Sequence, residues 1–402
     1  MAKMEDFNLI NRINEYKDYT FSLLEKMVAI PSITKQEREL ATFLSTELAK
    51  IGFTTNLQEV EKERPNVYGI HEFNNEGYLL TFSGHLDTVP PSSGWNGDPF
   101  KAQIRDNRIY GLGACDMKGG IAAILTALKV IIDSKYPLRG KIAFSGLIDE
   151  EAYSKGAKAF LETDFAKSNW ILLGEPHYGD MESPIPLGMT GKILYKISIK
   201  GKAAHAFHPE CGINAIEEAA KVLTSLDSLE CLEHPKFGKG SVCPLKIEGG
   251  YKKYSLVVPD KCSLVINRLL VPGESVEKAV TDLKKLLENL NLKTEVKIET
   301  PPPLYEPYEI SLQETIVRSL TKAYKQTLGT TPTFAYQPGV CDANIFVAQG
   351  KIPTICLGPK GGNIHQANEY VEIKSIMTVV EIYVRIIVDL LASSYPREER
   401  ST

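Results

Sequence analysis

The stretch Tyr78–Asp87, YLLTFSGHLD, decides how the chain is read, together with KIAFSGLI at 141–148 and WILLGE at 170–175. Each is a short apolar run that ends in acidic or imidazole side chains, and between the first two lies a segment, 117–132, with helical spacing. From about Asn66 to Glu175 strands thus alternate with helices, the rhythm of an α/β sheet with helices on its faces. The rhythm returns near the C-terminus, where TICLGP at 354–359 reads as a strand and the residues after Glu372 as a helix. Between these halves the pattern changes. Ile193, Tyr195, Ile197 and Ile199 alternate as a half-buried strand, 213–226 reads as a helix, and SVCPLKIEG and KCSLVINRLL read as two strands. A helix from Glu274 presents Val276, Val280, Leu283, Leu287 and Leu290 on one face, and KTEVKIE closes as a strand. This β-α-β-β-α-β order predicts a ferredoxin-like α+β module inserted into the α/β domain. The expected domains are 1–184 and 300–402 for the first, with its mixed sheet flanked by helices, and 185–299 for the insertion, left through Pro301, Pro302 and Pro303.

A chain of 402 residues, 43% hydrophobic and 24% charged, accommodates two such domains. Its 46 basic and 50 acidic residues are interspersed and leave a net charge of -4, without the basic stripe that nucleic acid or an anionic membrane would require. A small-molecule partner is expected instead. The N-terminus carries charges where a signal peptide needs an apolar core, and 376–391 is interrupted by Glu381, Arg385 and Asp389, so it reads as an amphipathic helix and not a membrane span. Seven scattered cysteines without a CxxC pair argue against a disulfide framework or a cysteine zinc site, and point to a reducing cytoplasm.

The strand ends carry the chemistry. His85 and Asp87 end the first strand, where alternation puts both on one side, so that the carboxylate could fix the tautomer of the imidazole. Asp116 follows the tight GLGACD turn and reads either as an exposed ligand at the carboxyl end of the sheet or as the N-cap of the next helix. Asp149, Glu150 and Glu151 terminate the KIAFSGLI strand, Glu175 ends WILLGE, and His365 sits in the glycine-rich GPKGGNIHQANE. Any one of these has an ordinary explanation, but together they form what a two-metal hydrolase needs. Two cations roughly 3.5–4 Å apart require a bridging carboxylate, an imidazole and carboxylate for each ion, and a base that is not a ligand. Cys115 has no evident base beside it and reads as a packing residue.

The motifs SGHLDTVP, WNGDPF, RIYGLGACDMKGG, DEE, GEP, GKAAHAFHPECGINAI and IHQANEYV resemble those of the dinuclear zinc hydrolases. That family includes acetylornithine deacetylase, succinyl-diaminopimelate desuccinylase, aminoacylase, glutamate carboxypeptidases and several dipeptidases. The likeness runs from about Ile30 to Ile376. It implies that Asp116 bridges the metals, that His85 and Glu175 hold one ion and Glu151 and His365 the other, with Glu150 the general base and Asp87 the support of His85. It implies further a cis peptide between Asp116 and Met117, a lid and dimerisation role for the insertion, and a homodimer in which His205 reaches the partner's substrate. His177 and His208 have no counterpart and read as rim residues.

One departure concerns substrate. Relatives bind a substrate carboxylate with an asparagine before a VIP-like segment and an arginine in the following strand. Here Ser255 and Leu256 stand where the asparagine would lie, and Arg268 comes one residue early, with Leu269 in the usual place. A one-residue shift turns a strand side chain to the other face, so Arg268 is either a carboxylate clamp or a salt bridge on the surface or within the lid. The expected activity is hydrolysis of an N-acyl amino acid with two divalent cations, Zn²⁺ or else Co²⁺ or Mn²⁺. A dipeptidase or carboxypeptidase with the same chemistry is the alternative, and a catalytically silent binding module the remote one.

Overall fold

The structure is a computed structural model and describes residues 9–74, 76–177, 183–253 and 256–392, which leaves Ser255 outside the described residues. Along the chain, helices α1 (Lys17–Ala29) and α2 (Arg38–Ile51) precede strands β1 (Thr54–Glu61), β2 (Arg64–Glu72) and β3 (Leu79–His85). Helix α3 (Lys118–Ser134), β4 (Lys141–Leu147) and β5 (Trp170–Leu173) complete the first segment. Next come β6 (Gly191–Lys200), α4 (Ala215–Ser225), β7 (Ser241–Gly249), β8 (Lys261–Leu270), α5 (Val276–Glu288) and β9 (Val296–Glu299). The chain ends with α6 (Thr315–Leu328), β10 (Thr354–Cys356) and α7 (Ile373–Leu391). No helix among the described residues is long and apolar enough to cross a membrane.

The first compact unit is built on a six-stranded sheet of order β1-β2-β4-β3-β5-β10. The hairpin β1-β2 and the β2-β4 pair are antiparallel, whereas β4, β3, β5 and β10 run parallel. Parallel strands covered on both faces need unbroken apolar runs, and β3, β4 and β5 are buried almost throughout. Helix α7, apolar at nearly every inward position, packs against α3 and α6. Gly84 pairs with Gly146 and His85 with Leu147, so β3 and β4 end level with each other.

The second unit has a four-stranded antiparallel sheet of order β7-β8-β6-β9. Ile193, Tyr195, Ile197 and Ile199 of β6 and Leu264, Ile266 and Leu270 of β8 form its core with Val222 of α4 and Leu283 and Leu287 of α5. The unit takes in Gly188–Glu309 and Tyr336–Val340, where the sequence places the insertion at 185–299. The triple proline does not release the chain: Lys192 and Tyr305 exchange both backbone hydrogen bonds, at 2.9 and 3.0 Å. Gly339 N–H donates to the Thr190 hydroxyl at 3.1 Å, which ties in the later segment.

Arg268 forms a salt bridge within the second unit, as one of its two readings expects. Alternation along β8 puts it on the inward face between Ile266 and Leu270, 1% exposed. Its Nη2 lies 2.7 Å from Glu274 Oε1 and donates to Glu230 O at 3.0 Å, while Nε and Nη1 meet no acceptor among the described residues. Removing one partner of a buried ion pair strands the other charge, at a cost of about 3–5 kcal/mol. Arg268→Ala is therefore expected to raise amide hydrogen exchange across β8 and α5 and leave β3 and β4 unchanged. Wild-type protection in β8 would show that the pair contributes nothing net.

Candidate metal centre

Parallel strands place all their carboxyl ends on one rim, and there the side chains gather. His85 ends β3, Glu150 and Glu151 follow β4, and Glu175 follows β5. Asp116 comes from the turn before α3, whose glycine pair permits close approach: a Cβ on Gly120 would stand 2.0 Å from Gly174 O, beside Glu175. The peptide between Asp116 and Met117 is cis, as the resemblance implies. Met117, not Asp116, is the N-cap of α3, and the helix begins one residue later than the sequence pattern indicates.

Freed from capping, the Asp116 carboxylate stands between two imidazoles. Its Oδ1 is 3.0 Å from His85 Nε2 and its Oδ2 is 3.5 Å from His365 Nε2. Glu175 Oε2 lies 3.9 Å from the same His85 nitrogen, and Glu151 Oε1 lies 2.9 Å from His365 Nε2. Among the described residues, three sets have potential ligand atoms within 4.8 Å of one another: His85, Asp116 and Glu175; Asp116, Glu151 and His365; and His85, Glu150 and Glu151. The first two share Asp116, the arrangement a bridging carboxylate needs. His85 is buried, whereas the His365 side chain is 49% exposed.

The Asp87 carboxylate stands beside His85, with Oδ1 3.8 Å from His85 Nδ1, and holds the acidic turn as well. Strand β3 ends at His85, so alternation does not extend to Asp87. The Nδ1–H of His85 donates to the main-chain carbonyl of Asp87 at 2.8 Å, which leaves the Nε2 lone pair as the one a metal could take. The Asp87 carboxylate accepts from the backbone N–H of Glu150 at 3.0 Å, of Glu151 at 3.2 Å, and from the Thr34 hydroxyl at 2.9 Å. From the other side the buried Arg64 fork holds the same acidic turn. Its Nη2 lies 2.6 Å from Asp149 Oδ1 and 2.6 Å from Glu37 Oε1, and its Nε lies 3.0 Å from Glu37 Oε2. Asp149 itself takes the left-handed backbone at φ 71°.

Crowded carboxylates in a buried site shift each other upward. Burial, reinforced by Glu175, raises the Glu150 carboxyl well above its ordinary range. Burial raises Glu175 to about 8 against the pull of His85, and raises Asp87 to about 7. Asp116 is pushed up by burial but held below the usual carboxylate range by His365 and His85. Hydrogen bonding to Asp116 and Glu151 raises His365 to about 10. Glu175 Oε1 is buried and has no hydrogen-bond partner among the described residues. A site of converging carboxylates and imidazoles with an orphaned acceptor fits divalent cations bound by mixed oxygen and nitrogen donors.

Other sequence candidates stand elsewhere or serve differently. His205 belongs to the second unit, where its Nδ1 accepts from the Phe207 N–H at 3.2 Å. His208 is exposed and pairs with Glu210 at 3.4 Å, in keeping with a rim residue, but His177 is buried and its N–H donates to Pro359 O. Cys115 is buried, which pushes its thiol up and suits packing. The sequence reading passed over Arg64, Glu37, Glu369 and Asp342. Asp342 is fully buried and burial raises it to about 6 against the Ser154 hydroxyl, and its charge adds to the upward pressure on Glu150 and Glu175.

An α/β sheet with this rim of carboxylates and imidazoles, in a chain that also holds a βαββαβ unit, defines a metal-dependent hydrolase of amide or peptide bonds. Residues 81–389 match peptidase family M20/M25/M40, and the chain belongs to that family. The chain is 27% identical to a succinyl-diaminopimelate desuccinylase of Nitrosomonas eutropha, over 90% of this chain and 96% of that one. With the enzyme of the same description from Marinobacter nauticus identity is 28%, over 93% and 99%. Among solved structures, a tripeptidase of Staphylococcus aureus superimposes with a TM-score of 0.76 at 25% identity, covering 92% of this chain and 97% of that one. An aminopeptidase of Bacillus cereus shares the fold with a TM-score of 0.77 at 23% identity, covering 92% and 98%.

Proposed function

We propose that the chain removes the acyl group of an N-acyl amino acid by hydrolysing its amide bond with two divalent cations. His85 and Glu175 would hold one ion, Glu151 and His365 the other, and Asp116 both. The observation that carries this reading is the Asp116 carboxylate with one oxygen toward each imidazole. Zinc suits the donor set, and cobalt or manganese could replace it. When bound, the ions supply Lewis acidity toward the scissile carbonyl and bring water to a usable pKa.

Glu150 then takes the proton of the attacking water and passes it to the leaving amine, a general base that becomes a general acid. Its retention near the ligands is supported by the Asp87 carboxylate, which fixes the backbone on which Glu150 and Glu151 lie. The desuccinylase relatives, aligned over nine-tenths of the chain, favour an N-acyl amino acid. The likeness to a tripeptidase favours a short peptide as the second reading. Arg268 is assigned no part in either reading, which the salt bridge to Glu274 inside the second unit supports.

The second unit is assigned in this proposal the role of lid and dimerisation surface, with His205 stabilising the developing oxyanion in the neighbouring subunit. What supports a homodimer is the outer strand β7, whose Leu245 and Ile247 are 59% and 52% exposed on an edge available for pairing. All seven cysteines are free thiols, which suits a reducing compartment such as the cytoplasm.

Two experiments test these assignments. Glu150→Gln should keep the wild-type metal content and lose about 10²–10⁴-fold in kcat, on N-succinyl-diaminopimelate or N-acetylornithine in preference to a dipeptide panel. Loss of metal would make Glu150 a ligand, and preference for peptides would establish the second reading. Mixing Glu150→Ala with His205→Ala chains should restore part of the activity, since a mixed dimer can assemble one intact site. Verified subunit exchange without recovery would remove His205 from the partner's chemistry.

A further inference from the structure

Glu369 lies four residues after His365 and is 2% exposed, yet it points away from the ligand cluster into the turn that carries Asp116. Its Oε2 accepts from Gly113 N–H at 2.8 Å, and its Oε1 from Cys115 N–H at 2.8 Å and Asp116 N–H at 2.9 Å. Gly113, at φ 75°, takes the left-handed conformation that bends this turn, and a Cβ there would approach Thr88 Cγ2 to 2.6 Å. Gly111 N–H donates to the main-chain carbonyl of Glu369 at 3.0 Å, and Tyr370–Glu372 then pairs with Arg108–Tyr110. Lys118 spends its ammonium on Met27 O and Ile30 O, both at 2.9 Å, so the clamp is made of peptide N–H groups.

A carboxylate that accepts three backbone N–H bonds has most of its acceptor capacity committed and serves as a tether. We propose that Glu369 is a positioning residue that joins the bridging Asp116 to the His365 loop and so sets the distance between the ligands of the Asp116, Glu151 and His365 group. The two ligand groups differ in what else holds them. His85 and Glu175 stand at the ends of β3 and β5, neighbours in one ladder. His365 has no such frame. It is half-exposed, on a loop in which Asn363, His365 and Asn368 all take left-handed backbone, and its ring partners are Asp116 and Glu151. Loosening the clamp should therefore weaken the His365 group more than the His85 group.

This inference rests on the metal-centre reading above, and the experiment separates the two. Wild-type apoprotein titrated with zinc against a competing chelator should show two steps. Glu369→Gln keeps the shape but replaces one acceptor by an amide that faces N–H donors. It should weaken the second step by about 10–100-fold, the range found when partners of metal ligands are removed, and the first by less. Glu369→Asp, which keeps the charge on a shorter arm, should fall between the two and serves as the variant if the glutamine form does not fold. Hydrogen exchange of the Gly113, Cys115 and Asp116 amides in the apoproteins reports the clamp without metal. Lost protection at these amides with both zinc steps unchanged would reduce Glu369 to a structural part and overturn the proposal. A wild-type titration without two steps would overturn the metal-centre reading with it.

Discussion

The placement of His85, Glu150, Glu151 and Glu175 on one rim depends on the parallel alignment of β4, β3 and β5. Parallel neighbours end on the same side of a sheet, and the pairing of His85 with Leu147 sets the two central strands level. From that rim the chain has only to turn in order to deliver Glu150, Glu151 and Glu175 beside His85. A one-residue slip of β3 would carry His85 to the opposite face. The burial of β3 and β4 on both faces resists such a slip, since it would disturb packing above and below the sheet at once.

Electrostatics then opposes the geometry. Glu150, Glu151, Glu175, Asp116, Asp87 and Asp342 bring acidic groups into one buried region, and the upward shifts of Glu150 and Glu175 express first their burial and then the neighbouring negative charge. The protein offsets this with directed hydrogen bonds. Asp87 receives two backbone N–H groups, Glu369 three, and Arg64 neutralises Asp149 and Glu37 beneath the acidic turn. Cations that bind such a site gain from charge already gathered and oriented, and the supporting carboxylates keep their acceptor atoms turned toward the backbone.

That His85, Asp116, Glu150, Glu151, Glu175 and His365 gather in one place was legible in the sequence because each closes an apolar run or a glycine turn, and position at a strand end survives folding. The β-α-β-β-α-β order of the second unit was legible for the same reason, from alternation on β6 and β8 and the spaced face of α5. What escaped depends on contacts between distant segments. Nothing local marks Arg64 or Glu37, whose meeting with Asp149 requires β2 to lie beside β4. The backbone N–H groups that Asp87 accepts could not be read from alternation, which stops at the end of β3, and the prolines at 301–303 fall short of the edge of the second unit because Tyr305 pairs back to Lys192. Arg268 needed the face of β8 to be known before its role could be chosen.

The central claim is that one carboxylate, Asp116, holds two ions between two imidazoles. Anomalous diffraction at the zinc edge from crystals of the zinc-loaded protein tests it directly. Two peaks about 3.5–4 Å apart on either side of the Asp116 carboxylate, one reached by His85 and the other by His365, are predicted. A single peak, or a second one out of reach of Asp116, would contradict it.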